Sequence, residues 1–276
     1  MRCVNPPILP NPAAKNDNQS FIRGSCGKCY ACLANRRRSW LFRLQNENLS
    51  SLLTLFCTLT YDDDNIPFDG CFSKHDLQCF FKRLRHHDLL TYYAIGEYGT
   101  TTHRPHFHAV IFFKSLNTNS TPLDYYLLLS DAWKLGFAAV ARITYRRLNY
   151  VLHYHTRPKV VDGRKTQQFF SKGMGIDFLN DDVIKYLTQT KRCVIRDYNG
   201  NYYVVPRYYR KKLGELGYDT DIDWSFDNEF ESKLIRDTFG VEPFQMSVKQ
   251  KSDFFKNRIY LDKQKLIKYN NQDKFL

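Results

Sequence analysis

One stretch of the chain, residues 104–113 with the sequence RPHFHAVIFF, constrains the fold more than any other. From Phe107 onward it is apolar and aromatic apart from one histidine, and it is rich in strand formers, which predicts a buried β-strand. Because side chains alternate between the two faces of a strand, His106 and His108 point the same way. Two imidazoles side by side on a rigid strand are able to bind one divalent cation.

A second strand is predicted directly before this one, at residues 92–98. The short polar connection 99–104 between them is typical of a β-hairpin. In an antiparallel register that sets Glu97 opposite His106 or His108, all three side chains share one face. Two imidazoles and one carboxylate with open coordination positions favour a catalytic cation over a closed structural one. The alternative is that Glu97 is a solvated strand residue and that the histidines lie near a sheet edge.

The charge balance favours a nucleic-acid partner. The 276-residue chain carries 41 Lys and Arg against 28 Asp and Glu, a formal net charge of +13, together with 19 Tyr and 21 Phe. Basic residues follow phosphates while aromatic rings stack on exposed bases, so this composition favours single strands, although a solvated basic surface would have the same composition. No apolar run approaches the ~20 residues of a membrane helix, and the N-terminal residues lack a secretory pattern, which predicts a cytoplasmic protein.

The eight cysteines are expected to be thiols or metal ligands, because no secretory signal is apparent. Cys26, Cys29 and Cys32 follow one another at C-x-x-C spacing. A tetrahedral thiolate site needs a fourth ligand, and Cys3 is the natural candidate. These four residues therefore predict a structural zinc site. The alternative is a set of free buried thiols.

A third motif is the sequence YRRLNYVLHYHTR at residues 145–157. As a helix, this segment turns its aliphatic residues toward the core. Tyr150 and Tyr154, four residues apart, then stack on one face beside Arg147 and Arg157. The alternative is that two amphipathic tyrosines lie at a surface.

Basic residues recur on the predicted helices and are expected to contact nucleic-acid phosphates. They lie in the helix that follows the cysteines, in a helix capped by Ser73, beside the paired tyrosines and in the basic aromatic segment 206–212. Residues 163–175 are predicted to form a polar, basic loop. The expected nucleic-acid-binding residues are Arg36, Arg37, Lys82, Arg83, Arg85, Arg147, Arg157 and Arg207.

Three of these segments resemble the motifs of the His-hydrophobic-His endonucleases of rolling-circle replication. FCTLTY at 56–61 resembles the first motif of that family, HFH at 106–108 its metal motif, and YVLHY at 150–154 its paired-tyrosine motif. The sequence is most similar to the replication initiation proteins of small single-stranded-DNA phages of the microvirus group, in particular the gokushovirus-like branch. One departure is that a lysine often follows the second tyrosine by a few residues, whereas here the segment after Tyr154 reads HTRPK.

The resemblance implies an α+β fold, with a ferredoxin-like or RRM-like antiparallel sheet, helices packed on it and a Cys-rich N-terminal arm. It divides the chain into a Cys-rich arm with a basic helix at 1–50, an endonuclease core at 51–213 and a charged, partly helical tail at 214–276.

The resemblance also implies a rolling-circle initiator that nicks single-stranded origin DNA. Its catalytic residues are expected to be Tyr150 and Tyr154, with Mg²⁺ or Mn²⁺ held by Glu97, His106 and His108. The expected products are a 5′-phosphotyrosine and a 3′-hydroxyl primer, with later rejoining of the strand. Host DNA polymerase and host helicase are then the expected partners in the bacterial cytoplasm, with neither a membrane nor a small-molecule substrate. Two alternatives stay open: a relaxase or transposase of the same chemistry, and a non-enzymatic, zinc-stabilised nucleic-acid-binding protein.

Overall fold

The computed structural model describes residues 3–11, 20–99, 101–116, 121–156, 160–161, 163–196, 202–218, 232–233 and 235–271. The chain divides into two compact units, one of Ser39–Asn180 and one that joins Met1–Arg38 to Asp181–Leu276. Among the described residues, none of the helices has the length and apolar character needed to cross a membrane. The described elements are β1 (Ile8–Pro10), β2 (Phe21–Arg23), α1 (Tyr30–Leu49), β3 (Leu53–Tyr61), α2 (Lys74–Leu84), β4 (Leu90–Tyr98), β5 (Pro105–Phe113), α3 (Pro122–Ala132), β6 (Gly136–Arg142), α4 (Tyr145–Thr156), β7 (Val160–Val161), β8 (Arg164–Lys165), β9 (Gln167–Phe170), α5 (Asp181–Thr190), β10 (Val194–Arg196), β11 (Tyr202–Val204), α6 (Arg207–Glu215) and α7 (Val248–Asn271).

The unit of residues 39–180 is built on a five-stranded sheet with the spatial order β6-β3-β5-β4-β9. Every neighbouring pair of strands in it is antiparallel. From β3 to β6 the chain follows the β-α-β-β-α-β order that is typical of ferredoxin-like folds. The predicted α+β fold with an antiparallel sheet and packed helices is therefore confirmed.

The edge strand β9 contradicts one prediction from the sequence. The sequence predicts a polar loop at residues 163–175, but part of this segment pairs with β4. The physical reason is that Phe169 packs into the core on one face of the sheet, whereas Phe170 stacks on Tyr93 on the other. Two adjacent aromatic residues thus anchor a short strand whose remaining residues are polar.

One face of the sheet is covered by α2 and α3. The odd-numbered residues of β3 and β5 point toward these helices and form the larger hydrophobic core, which includes Leu55, Leu59, Phe107, Ile111, Phe80 and Trp133. At the start of α2 the Ser73 hydroxyl accepts a hydrogen bond from the Asp76 amide at 3.2 Å, as predicted for an N-cap. The Asp76 carboxylate in turn accepts a hydrogen bond of 3.0 Å from the Tyr61 hydroxyl, which ties α2 to β3.

The other face carries α1 and α4. Residues of α4 pack with Leu44 of α1 against the even-numbered side chains of β5 and the odd-numbered side chains of β4. The three aliphatic residues of α4 that are predicted to face the core are buried, and they are Leu148, Val151 and Leu152. This packing fixes the rotation of α4 about its axis.

A buried carboxylate ties α1 to the sheet. Glu47 accepts hydrogen bonds from the Thr91 hydroxyl at 2.6 Å and from the backbone amide of Gly175, and it forms an ion pair of 2.9 Å with Lys114. A buried charge is tolerated only when its oxygens are paired in this way. The segment after β9 is thereby anchored to α1.

Gly136, at the start of β6, has a φ of +142°. A Cβ at this position would overlap the carbonyl oxygen of Thr60 and the amide nitrogen of Asp62. Glycine therefore allows β6 to begin directly against the end of β3.

In the other unit, β1 pairs with β2 and β10 pairs with β11, both antiparallel. The structure confirms the predicted short helix at Asp181–Thr190. The predicted hairpin turn at Asn199 and Gly200 lies outside the described residues.

A candidate metal and tyrosine site

Strands β4 and β5 bring one carboxylate and two imidazoles together. Glu97 lies directly opposite His106 in the β4–β5 register, and Ile95 lies opposite His108. The Glu97 Oε1 atom is 2.9 Å from Nε2 of His106 and 2.6 Å from Nε2 of His108. The hairpin register therefore gathers three ligand atoms that all lie within 4.8 Å of one another.

The surroundings of His106 decide which of its nitrogens carries the hydrogen. Its Nδ1 atom lies 3.1 Å from the carbonyl oxygen of Arg104, which only accepts, so Nδ1 is the donor. In the neutral ring the lone pair of Nε2 then faces the Glu97 carboxylate. Two acceptors at that separation repel each other unless a proton or a cation lies between them. The imidazole and carboxylate donors therefore fit a divalent cation.

Two residues that the sequence prediction missed position His108. The Thr58 Oγ1 atom lies 2.9 Å from Nδ1 of His108, and these two residues are paired in the β3–β5 register. The Phe56 ring stacks on the imidazole with a centroid separation of 5.7 Å. Partners of this kind orient a ligand imidazole toward its metal. The signal that could have found them is the alternation of β3, which places Phe56 and Thr58 on one face.

The Glu97 carboxyl is buried, and burial by itself raises its pKa. Hydrogen bonds and positive charge from His106 and His108 outweigh burial and hold the pKa of Glu97 well below its ordinary value. The side chain is therefore a carboxylate at neutral pH, as a metal ligand must be.

Helix α4 adds a phenol to the three ligands. The Tyr150 hydroxyl lies 3.3 Å from Glu97 Oε1 and 3.3 Å from His108 Nε2. Its ring packs edge-on against the rings of His108 and Phe56, at centroid distances of 5.1 and 6.5 Å. A nucleophilic oxygen is thus adjacent to two of the three ligand residues.

The other predicted residues of this segment are only partly described. The backbone of Tyr154 belongs to α4, but its side chain lies outside the described part of the structure, and so does the whole of Arg157. Arg147 donates a hydrogen bond of 2.8 Å to the carbonyl oxygen of Arg142, the last residue of β6.

The basic residues of α2 lie across the sheet from the three ligands, because α2 packs on the odd-numbered face of β5. Arg83 donates a hydrogen bond of 2.8 Å to the carbonyl oxygen of Ala132 and so links α2 to the end of α3. The Arg85 guanidinium lies over the Tyr92 ring at 5.5 Å, and Lys82 is exposed. In the other unit, Arg36 and Arg207 are exposed and Arg37 is half-buried.

A second ligand cluster lies in the unit that contains the N-terminus. The Sγ atoms of Cys26 and Cys32 are 3.9 Å apart, and those of Cys3 and Cys29 are 4.0 Å apart. A tetrahedral zinc site with Zn–S bonds of about 2.3 Å has sulfur–sulfur edges of about 3.8 Å. The four thiols are free of disulfide bonds. Their geometry therefore fits a tetrahedral metal, with Cys3 in the expected fourth position.

The thiols of this cluster differ in acidity. Burial raises the pKa of Cys26, but hydrogen bonds from the backbone amides of Lys28 and Cys29 outweigh it and lower the pKa to about 6. Burial raises the pKa of Cys32 to about 12. A cation would relieve the cost of holding these sulfurs as thiolates.

Comparison with known proteins agrees with the geometry of the strands and of α4. Residues 54–159 match the family model of the replication-associated protein ORF2, a range that includes Glu97, both histidines and both tyrosines. The chain is 26% identical over 214 residues to the replication-associated protein ORF2 of Spiroplasma virus 4, covering 68% of this chain and 67% of that protein. It is 26% identical over 239 residues to the replication-associated protein ORF4 of Chlamydia phage 1, covering 76% and 58%.

A third relative, the replication-associated protein VP4 of Bdellovibrio phage phiMH2K, is 29% identical over 210 residues, which cover 67% of this chain and 65% of that protein. The chain thus spans 58–67% of the length of these relatives. No solved structure matches the chain. Through residues 54–159, the chain belongs to the family of the replication-associated protein ORF2.

Proposed function

We propose that this protein initiates rolling-circle replication of a single-stranded-DNA phage by nicking single-stranded origin DNA with Tyr150. The observation that supports this most directly is the position of the Tyr150 hydroxyl, 3.3 Å from ligand atoms of both Glu97 and His108. The relatives are named replication-associated proteins of phages, which agrees with a role at an origin.

In this proposal Glu97, His106 and His108 hold Mg²⁺ or Mn²⁺. A bound cation of this kind stabilises the negative charge that grows on the non-bridging oxygens of the scissile phosphate. The Tyr150 oxygen attacks the phosphorus, and the bond from phosphorus to the 3′-oxygen breaks. The phenol loses one proton and the departing 3′-oxygen gains one, so the products are a 5′-phosphotyrosine and a free 3′-hydroxyl. Host polymerase would extend that hydroxyl while a host helicase opens the duplex.

Tyr154 is proposed as the second nucleophile. It follows Tyr150 by four residues on α4, a spacing that puts both positions on one helix face. After one round of synthesis it would cleave the regenerated origin, while the strand end held by Tyr150 is rejoined. Arg147 and Arg157 are proposed to contact the adjacent phosphates.

Cys3, Cys26, Cys29 and Cys32 are proposed to bind one structural Zn²⁺. With four thiolates the coordination sphere is full, which is typical of sites that stabilise a fold. The role proposed for this ion is to hold the N-terminal segment against the start of α1.

The experiment that tests nicking uses single-stranded oligonucleotides tiled across the phage genome, labelled at the 3′ end and incubated with the protein and Mn²⁺. A tyrosine nuclease leaves a labelled covalent adduct on a denaturing gel, which mass spectrometry maps to Tyr150 or Tyr154. A non-enzymatic binding protein shifts the DNA on a native gel and leaves no adduct. An adduct that persists when both tyrosines are replaced by Phe would refute the proposed nucleophiles.

A further inference from the structure

The sheet face that carries the three ligands extends beyond them to the edge strand β6. In the strand registers, Glu97 lies opposite His106, His106 opposite Thr60, and Thr60 opposite Phe137. Directly paired residues of antiparallel strands project from the same face. Phe137 therefore points to the same side of the sheet as the ligands, two strands from His106. Two strand spacings correspond to about 10 Å.

This part of the face is open. The Phe137 side chain is 71% exposed, although it belongs to a strand of the central sheet. Helix α4 lies against β4 and β5, so the face of β6 beside it stays accessible. The next residues of β6 on this face are Ala139, which is exposed, and Ala141, which is half-buried. Small side chains next to one large ring leave a shallow floor with an aromatic platform at its end.

The opposite edge of the same face is built differently. Phe170 of β9 packs edge-on against Trp40 at 4.6 Å and lies parallel to Tyr93 at 6.3 Å. Its ring is therefore engaged with the protein. Phe137, in contrast, presents its ring to solvent beside the ligands.

We propose that Phe137 stacks on a base of the single-stranded DNA close to the scissile phosphate. This inference rests on the proposed function, because it takes the three ligands to mark the position of that phosphate. A strand whose phosphate lies at Glu97, His106 and His108 has neighbouring bases within reach of a ring about 10 Å away on the same face. Aromatic rings on open sheet faces bind bases in this way, and the chain's net charge of +13 suits a polyanion.

The test measures binding in the absence of divalent cations, so that it does not depend on nicking. The probes are fluorescein-labelled (dT)20 and a strand of the same length and charge that consists of abasic nucleotides, and the readout is fluorescence anisotropy at several salt concentrations. Phe137→Ala should weaken (dT)20 binding about tenfold, because one base loses its stacking partner. The slope of log affinity against log salt should stay unchanged, because no phosphate contact is removed.

The abasic strand should bind the wild type and Phe137→Ala equally, and Phe137→Trp should restore the affinity for (dT)20. Phe137→Leu, which keeps an apolar side chain on β6, serves as a second variant if Phe137→Ala unfolds, and it should show the same loss. The matched control is Phe244→Ala, since Phe244 is 80% exposed and belongs to the other unit. Equal losses on both probes, an equal loss for Phe244→Ala, or no loss for any Phe137 variant would overturn the proposal.

Discussion

The two ligand clusters of this protein are built in opposite ways. Cys26 and Cys3 are 23 positions apart and meet through loops and the start of a helix, whereas Glu97 and His106 meet directly across a hairpin of the central sheet. Four cysteines fill a tetrahedron, while one carboxylate and two imidazoles leave positions open beside a phenol. A closed cluster suits a metal that holds a fold together, and an open cluster on rigid strands suits a metal that meets a substrate.

The sharpest way to break this comparison is to remove both imidazoles. The double variant His106→Ala with His108→Ala should lose detectable adduct formation, because a single carboxylate does not retain the cation. Its affinity for single-stranded DNA should stay close to that of the wild type, because phosphate contacts come mainly from Lys and Arg elsewhere. Adduct gels and anisotropy on the same protein check both halves, and normal nicking by the double variant would contradict the assignment.

The next largest effect is expected from the nucleophile. Tyr150→Phe removes only the hydroxyl, so the packing of its ring on Phe56 and His108 survives and any loss is chemical. We expect the rate of adduct formation to fall by about a hundredfold or more, with a remnant from Tyr154 that disappears in the double tyrosine variant. The matched control is Tyr145→Phe on the same helix, where the tyrosine is 64% exposed and the rate should be unchanged.

A smaller effect is expected at the hydroxyl that orients His108. Thr58→Val keeps the shape of the side chain but removes its hydrogen bond to Nδ1, which should lower metal affinity by about tenfold. The measurement is the Mn²⁺ concentration that gives half-maximal nicking. Thr54→Val on the same strand and face is the control, because Thr54 is paired with Phe112 and not with a ligand. A similar shift in both variants would show that the hydroxyl of Thr58 has no particular role.

The smallest effect on nicking is expected from the cysteines. Cys29→Ser together with Cys32→Ser should remove one zinc per chain by elemental analysis and lower the unfolding temperature. The rate of nicking at saturating DNA should change less than for Thr58→Val, since the cysteines and the three ligands belong to different compact units. A wild type without zinc, or a variant that retains it, would refute the structural zinc site.

The parts of the site that could be predicted from the sequence are those set by local pattern. Alternation along β5 placed His106 and His108 on one face, and the short connection to β4 brought Glu97 opposite His106. The aliphatic spacing of α4 fixed the face on which Tyr150 lies. In each case a few consecutive residues and one period suffice.

The parts that were missed depend on which face of the sheet a helix covers. The basic residues of α2 are predicted from the sequence to contact nucleic acid, yet α2 lies on the face away from the ligands. A signal was present, because the odd-numbered residues of β5 are all apolar and need a helical cover, whereas the even-numbered set begins with two histidines. Two right-handed crossovers then place α2 and α3 together on the apolar side. Strand β9 was missed for another reason, since its two phenylalanines anchor opposite faces and so show no simple alternation.

Gly136 gives the edge strand an unusual genetic sensitivity. Every missense change in its codon introduces a Cβ, and each therefore meets the same obstruction at the backbone of Thr60 and Asp62. Conservative and radical replacements should consequently share one phenotype, a displaced β6, rather than forming a graded series. In a mutational scan of the phage gene, position 136 would tolerate synonymous changes alone, whereas Ala139, exposed three residues later on the same strand, would accept a range of side chains.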